Sequence, residues 1–523
     1  MSHAPRGAWT LAGVLAGAAG LATSYLAASV LSIREAPVVA VADLVIRLTP
    51  GPVVEFFIGL LGTLDKPLLV VGILVVLGLL FGWCGRLARR RWWAPAVVFA
   101  ALAVVGLVAV LGRSGTTTAD ALPVAVGFVT WLIALSLLTG PLRRLEELDD
   151  ERDDVAVTST VDGERTPVAA QRRGFLIGAA SVLGVSAVLG VAGRFLGAGR
   201  RQVEETRRLL RLSAVTEPAV PAGARVDVPG VAPWMTPADD FYLIDTAIVR
   251  PAIDPAQWTL RIHGLVDREI NISYADLVAR EVTQRWATLN CVSNQVGGDL
   301  VGNAWWSGAR IADILAEAGV DPEADCVLQT SEDGWTCSTP LAALLDDDRE
   351  AMLAVAMNGR PLPIDHGFPV RTIVPGLYGY VSACKWVVDW EVTRFADVTA
   401  YWTERGWGEM GPVKIASRID VPRSGEEVPA GEVVLGGSAW FQHTGISAVE
   451  VSVDGGEWQA ATLGEVPSAD TWVQWRAAVD VEPGDHEVRV RATGADGEVQ
   501  TSVERDVLPD GATGLHAVGF TAT

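Results

Sequence analysis

The sequence predicts a multi-domain chain in three parts: an N-terminal all-α transmembrane bundle of about five spans, an α+β domain and a C-terminal all-β sandwich. Three observations predict it. Residues 8–32, 67–84, 93–112, 121–139 and 174–193 are apolar stretches of 25, 18, 20, 19 and 20 residues. Each can cross a hydrocarbon core of about 30 Å at a rise of about 1.5 Å per residue. Residues 240–400 alternate short strand patterns with helix patterns, whereas 410–523 is strand after strand, with Gly, Pro and Asp turns about every 8–12 residues.

The spans come first, and charge orients them. Arg86, Arg89, Arg90 and Arg91 follow the second span; Arg143, Arg144, Arg152, Arg165, Arg172 and Arg173 lie between the fourth and the fifth. The positive-inside rule puts both loops in the cytoplasm, which sets the N-terminus inside and residues 200–523 outside. Arg194, Arg200 and Arg201 run against the rule. The apolar segment 36–66 is interrupted by Arg47 and Pro50-Gly51-Pro52, so each half is too short to span, and two interfacial or re-entrant helices are expected. None of the six histidines lies in a span, which argues against a membrane b-haem. The spans therefore read as an anchor or a docking surface for a partner.

QRRGFL, residues 171–176, stands before the fifth span. Arg172-Arg173 followed by Phe175-Leu176 resembles a twin-arginine export signal placed inside the chain; the alternative is a basic flank on a stop-transfer helix. The polar stretch 141–172, with LEELDDERDD, reads as a tether between the two. Twin-arginine export carries folded cargo, so this signal predicts a cofactor inserted before export.

Residues 1–199 carry a net charge of +2 and the remainder −23, out of −21 for the whole chain. An outer part that acidic is a poor nucleic-acid binder. Residues 200–235 read as a linker, a charged helix-like run followed by a Pro-rich stretch. WTLRIHGLV (258–266) predicts a strand. SYADLVAR (273–280) and ARIADILAEAG (309–319) predict helices, and CVLQTSEDGWTCSTP (326–340) predicts a hairpin turning at Asp333-Gly334.

Cys291, Cys326, Cys337 and Cys384 lie in the outer part. A Cys326–Cys337 disulfide across the hairpin remains open, and no CxxC or CxxCH suggests a zinc ribbon or c-type haem. Cys291 differs in its surroundings: LNCVSNQVGG combines a thiol with Ser293, Asn294 and Gly297-Gly298, a loop in which backbone amides approach a ligand closely. A buried inert thiol is the alternative. A thiolate is a soft ligand for a metal cofactor of the kind the export signal calls for.

LNCVSNQVGG, then NAWWSGARIADIL (303–315), then PLPIDHGFPVRTIVPGLYGYVSACKWV (361–387) resemble the sulfite oxidase family of molybdopterin-dependent oxidoreductases, in a bacterial membrane-anchored form. The resemblance covers about residues 235–523 and implies a sulfite-oxidase-like molybdopterin domain followed by an immunoglobulin-like β-sandwich. It implies a molybdenum–molybdopterin cofactor whose metal is ligated by Cys291. His366 and Arg371 match the residues that hold the pterin and its phosphate, and Lys385 matches the lysine near the phosphate. Asn294 is expected to shape the loop or touch the pterin. Tyr242, assigned to the catalytic set, and Tyr378 and Tyr380 are candidates for the pocket wall.

Three positions depart from the family pattern. Ile244 stands where an anion-binding arginine is expected, Val355 where a tyrosine is expected, and Gln295 where the arginine after the Cys-x-x-Asn unit is expected. A pocket with apolar groups in place of a cation and a phenol binds a small dianion poorly, so a neutral organic substrate such as a sulfoxide is expected rather than sulfite. The expected domains are 1–140 (four spans), 141–172 (cytoplasmic linker), 173–199 (twin-arginine-like motif and fifth span), 200–235 (linker), 236–405 (molybdopterin-binding catalytic domain) and 406–523 (sandwich). The function expected is two-electron, oxygen-atom-transfer chemistry at the extracytoplasmic face. Electrons would pass to or from a separate cytochrome or membrane electron carrier, because the chain has no haem or iron–sulfur motif. The alternatives are a true sulfite oxidase or a cofactor-free anchored scaffold.

Overall fold

The computed structural model describes residues 6–31, 36–50, 53, 65–112, 118–155, 166–196 and 199–523. It divides into two compact units: Met1–Gln202 with Ala247–Val249, and Val203–Thr246 with Arg250–Thr523.

The first unit is helical. Its helices are α1 (Arg6–Val30), α2 (Pro37–Leu48), α3 (Asp65–Arg90), α4 (Ala94–Leu111), α5 (Leu122–Val155) and α6 (Thr166–Leu196). Among the described residues five segments are long and apolar enough to cross a membrane: Gly7–Val30, Lys66–Arg90, Ala94–Leu111, Thr118–Glu147 and Arg173–Gly190. They coincide with the five expected stretches. α2 has 12 residues and is too short to span, as expected for the first half of 36–66. Most of the second half, 51–52 and 54–64, lies outside the described residues. One boundary differs: residues 141–155, expected as a linker, continue α5 with Pro141 inside it. LEELDDER is rich in good helix formers, and propensity carries the helix past the apolar stretch.

α1 packs by close approach. A Cβ on Gly13 would lie 2.0 Å from the Phe81 carbonyl oxygen, and one on Gly85 2.0 Å from that of Trp9, so only glycine fits this crossing of α1 and α3. Phe81, Phe99 and Trp131 form an aromatic cluster with centroids 5.3–5.9 Å apart. Trp131 Nε1 donates to the Gly17 carbonyl at 3.0 Å. Arg89 pairs with Glu146 at 2.7 Å and Arg143 donates to the Ala88 carbonyl at 3.0 Å. The basic end of α3 therefore lies beside Arg143 and Glu146 of α5.

The second unit opens within helix α7 (Gly199–Leu209), at Val203, followed by irregular chain and then ten short strands in two sheets. The strands are β1 (Thr259–Gly264), β2 (Ile270–Ser273), β3 (Val282–Asn290), β4 (Val301–Arg310), β5 (Cys326–Ser331), β6 (Thr336–Pro340), β7 (Met352–Met357), β8 (Arg360–Pro361), β9 (Arg371–Ile373) and β10 (Val387–Thr393). One sheet runs β2-β1-β10-β5-β6, with only β1 and β10 parallel. The other runs β3-β4-β7-β8, with β9 paired to β7. Ser273 caps helix α8 (Tyr274–Val278) through a reciprocal capping box with Asp276, and Gly319 (φ 72°) ends helix α9 (Ile311–Ala318). The β5–β6 hairpin turns at Asp333-Gly334 as expected. Its register opposes Cys326 to Pro340 and Cys337 to Gln329, so the two cysteines are not cross-strand partners, and every cysteine is free.

Two further sheets close the chain. β11 (Ala416–Val421), β13 (Gly431–Trp440), β17 (Val473–Val481) and β16 (Thr462–Leu463) form one; β12 (Glu427–Val428), β19 (Ala517–Ala522), β18 (Gly484–Gly494), β14 (Ile446–Val453) and β15 (Gln459–Ala460) form the other. Leu435 and Trp475 from the first sheet and Val451, Val490 and Phe520 from the second share one core, which makes the expected sandwich.

Candidate active site

β3 delivers the thiol. Its last residue is Asn290, and Cys291 opens a loop whose base is closed by the Cys291 amide donating to the Leu300 carbonyl at 2.9 Å. Asn294 Oδ1 accepts from the Leu300 amide at 2.9 Å, and the Asn294 amide donates to the Cys291 carbonyl at 3.1 Å. Asn294 thus shapes the loop and does not line the cavity. Cys291 is buried and faces a cavity, together with Tyr242, Ile244, Asp245, His366, Arg371 and Lys385. Burial pushes the Cys291 thiol above its ordinary pKa, with the Ser293 amide and hydroxyl pulling against it. A thiol so placed ionises when a metal takes the proton's place.

The other donors come from 361–387. The turn Ile364–His366 ends at Gly367 in the left-handed region, and His366 Nε2 donates to the Ala238 carbonyl at 2.8 Å. That carbonyl only accepts, so Nε2 carries the proton and Nδ1 is left as an acceptor. Burial, helped by the Arg371 and Lys385 charges, pushes the His366 pKa down to about 4, so the ring is neutral. Arg371 opens β9 and is backbone-bridged to Lys385. Its guanidinium lies over the Trp306 ring at 5.2 Å and donates to the carbonyls of His366 (3.1 Å) and Ala383 (3.4 Å). Its Nε has no hydrogen-bond partner, and among the described residues no carboxylate pairs with it. Burial pulls it down to about 10, so it keeps its charge at neutral pH. Lys385, pulled down to about 8 by burial, donates to Asp245 Oδ2 at 2.7 Å and to the Asp365 carbonyl at 3.2 Å. Arg250 also reaches Asp245, at 3.0 Å.

Tyr242 stacks on Phe241 at 5.2 Å, and burial raises its phenol well above the usual range. Tyr380 also lines the cavity and donates to the Gly408 carbonyl. Tyr378 does not line it; its hydroxyl accepts from the Lys414 amide at 3.3 Å and is pushed up to about 12 by burial. Of the three positions that depart from the family pattern, only Ile244 faces the cavity, half-exposed. Val355 lies in the middle of β7, buried in the core and away from the cavity, so its place in the pocket is corrected. Gln295 is likewise outside, donating to Asp506 at 3.2 Å. Tyr242 and Tyr380 share the aromatic wall with Trp386 and with Trp335, Trp402 and Trp407; sequence reasoning missed the last three, for which AYWTERGW at 400–407 was an available signal. Sequence reasoning also missed two cavity carboxyls, Asp245 and Asp333, the second raised by burial.

The donor set suits a large anionic metal cofactor. Among the described residues no cluster of three or more His, Cys, Asp or Glu can hold a metal ion. A metal at Cys291 would need its remaining ligands from outside the protein. Arg371 is a buried cation that awaits an anion.

Residues 247–402 match the family model described as "Oxidoreductase molybdopterin binding domain". The chain is 31% identical over 303 residues to the mitochondrial sulfite oxidase of Homo sapiens, covering 49% of this chain and 55% of that one. It is 33% identical over 181 residues to the "Uncharacterized oxidoreductase YuiH" of Bacillus subtilis (strain 168), covering 35% of this chain and 87% of that one. It spans about half the length of the mitochondrial relatives it matches. Among solved structures, the sulfane dehydrogenase SoxCD from Paracoccus pantotrophus aligns with a TM-score of 0.47 at 22% identity, covering 58% of this chain and 88% of that one. A thiol loop, a neutral histidine and an unpaired buried arginine in one cavity, on a chain with these relatives, lead to one conclusion: the chain belongs to the sulfite oxidase family of molybdopterin-dependent oxidoreductases.

Proposed function

We propose that this chain is a membrane-anchored molybdenum–molybdopterin oxidoreductase acting at the extracytoplasmic face on a small neutral organic substrate, by oxygen-atom transfer. One observation carries the reading: Cys291, neutral His366 and the unpaired Arg371 line a single cavity. When bound, the cofactor supplies two-electron oxygen-atom chemistry. Cys291 supplies the protein ligand to the metal. Arg371 and Lys385 hold the anionic part of the pterin cofactor, and His366 hydrogen-bonds it through Nδ1. Tyr242, whose burial keeps its proton in place, donates a hydrogen bond to the substrate oxygen. Trp335, Trp402 and Trp407 exclude water and hold an apolar substrate body. Ile244, half-exposed on the cavity wall, offers no charge to a dianion, which argues against sulfite.

The orientation of the spans, the twin-arginine signal at Arg172-Arg173 and the immunoglobulin-like reading of the sandwich belong to this proposal. The Arg89–Glu146 pair supports the orientation, because it joins the two basic segments assigned to the cytoplasm. A separate cytochrome or membrane carrier exchanges the electrons. Metal analysis of the wild-type protein, made in cells that synthesise the pterin, is the test: about one molybdenum per chain is expected, and a metal-free protein would refute the reading. A substrate screen in both redox directions, with sulfite beside dialkyl sulfoxides, decides the substrate class; turnover of sulfite alone would overturn that part.

A further inference from the structure

The chain on both sides of Cys291 is gripped by the C-terminal sandwich. Upstream, Thr288 on β3 donates its amide to the Asp470 carbonyl at 2.9 Å. Its hydroxyl accepts from the Trp472 amide at 2.8 Å, and its carbonyl accepts from Gln442 Nε2 at 3.1 Å. Gln442, Asp470 and Trp472 all lie in sandwich loops and are buried. β3 is an edge strand of its sheet, and these loops cover the edge that β4 leaves open.

Downstream, Arg418 on β11 donates to the Gly298 carbonyl at 3.0 Å while Asp420 holds its Nε at 2.7 Å. The His516 ring fills the space that a side chain on Gly297 would occupy: a Cβ there would lie 2.1 Å from Cδ2. His516 Nδ1 in turn accepts from the Ile419 amide at 3.0 Å. Residues 288 and 298 are thus both fixed to the sandwich, and the thiol lies between them.

We infer that the sandwich acts as a positioning element for the Cys291 sulfur, with Arg418 and Thr288 as its positioning residues. This rests on the reading of Cys291 as the metal ligand. A strand end held on one side only is free to fray; one held on both sides presents its next side chain at a fixed place, as a metal–ligand bond requires. None of these sandwich groups lines the cavity, so they act through the loop and not on the substrate.

The test uses the full-length chain, with Arg418→Ala, Arg418→Lys and Thr288→Val, and with Glu450→Ala as a control that breaks a sandwich ion pair (to Arg491, 2.8 Å) outside these contacts. Two readouts are taken: the molybdenum EPR signature at measured metal occupancy, and the alkylation rate of Cys291, followed by peptide mass spectrometry, in protein made without pterin. Loss of a charged-donor hydrogen bond predicts alkylation faster by about tenfold in Arg418→Ala. A shifted EPR signature at wild-type molybdenum content is expected with it, together with partial recovery in Arg418→Lys and no change in Glu450→Ala. Wild-type alkylation and signature in both Arg418→Ala and Thr288→Val would overturn the inference. So would an equal effect of Glu450→Ala, or failure of all three loop variants to fold, because the contacts would then serve the fold at large. If the wild-type protein carries no molybdenum, the ligand reading fails by itself, while the alkylation rates still report on the grip.

Discussion

Arg371 and Lys385 are backbone-bridged neighbours that put two cations into one cavity wall, yet only Lys385 has a carboxylate, Asp245, at 2.7 Å. The asymmetry separates two tasks. Arg371 is left for an anion that the protein does not supply, and Lys385 is already balanced. The strong anion site is therefore centred on Arg371, with Lys385 beside it.

Relieving that balance should change substrate charge preference. In Asp245→Asn combined with Ile244→Arg, KM for sulfite should fall by about tenfold relative to wild type in a dye-linked assay. Asp245 supports the Lys385 charge against burial, so its loss lowers the lysine further and the assay is run as a pH series. An unchanged KM would place substrate selection elsewhere in the cavity.

Cys291→Ser should lose molybdenum and activity together while keeping the fold. The hydroxyl is a poorer soft-metal ligand, and the change is nearly isosteric, so the urea midpoint of the metal-free protein should move by less than about 1 kcal/mol equivalent. Retained molybdenum with wild-type turnover would remove the thiol from the metal's ligands.

His366 should make the protein acid-sensitive. Its folded pKa, about 4, lies below the ordinary 6.5. Between these values the unfolded chain binds the extra proton, so the contribution is fully present above about pH 6.5 and is lost as pH falls toward 4. The span corresponds to about 3 kcal/mol. Urea titrations at pH 7 and about pH 4.5 should show wild type losing more stability than His366→Gln, and equal losses would mean that the ring does not titrate this way.

Gly297→Ala should cost about 3 kcal/mol, because the residue has φ 76° and its added methyl would meet the His516 ring. Thermal unfolding measures it. A loss below about 1 kcal/mol would mean that the ring moves aside freely.

Local signals were legible in the sequence. Apolar length marked the five helices long enough to cross a membrane, Ser273 and Asp276 marked a helix start, and Asp333-Gly334 marked a turn. The motif blocks also brought Cys291, His366, Arg371 and Lys385 to one cavity across 94 positions of chain. What escaped was tertiary. β7 reads MLAVAM and is buried on both faces, so no alternation told that Val355 points into the core. Asp245 meets Lys385 across 140 positions, and Trp402 and Trp407 reach the cavity from chain beyond the last motif block. No periodicity encodes such meetings. The helical continuation through 141–155 was hidden because charge was read as a tether, when the same residues are good helix formers.

The glycines at 13 and 85 have one more implication. A mere leash needs no backbone-on-backbone crossing, and it needs no tryptophan bonded to a neighbouring helix's carbonyl. The helical unit is fitted helix to helix, so exchanging it for one generic apolar helix would keep the hydrophobicity and discard that fitted interior.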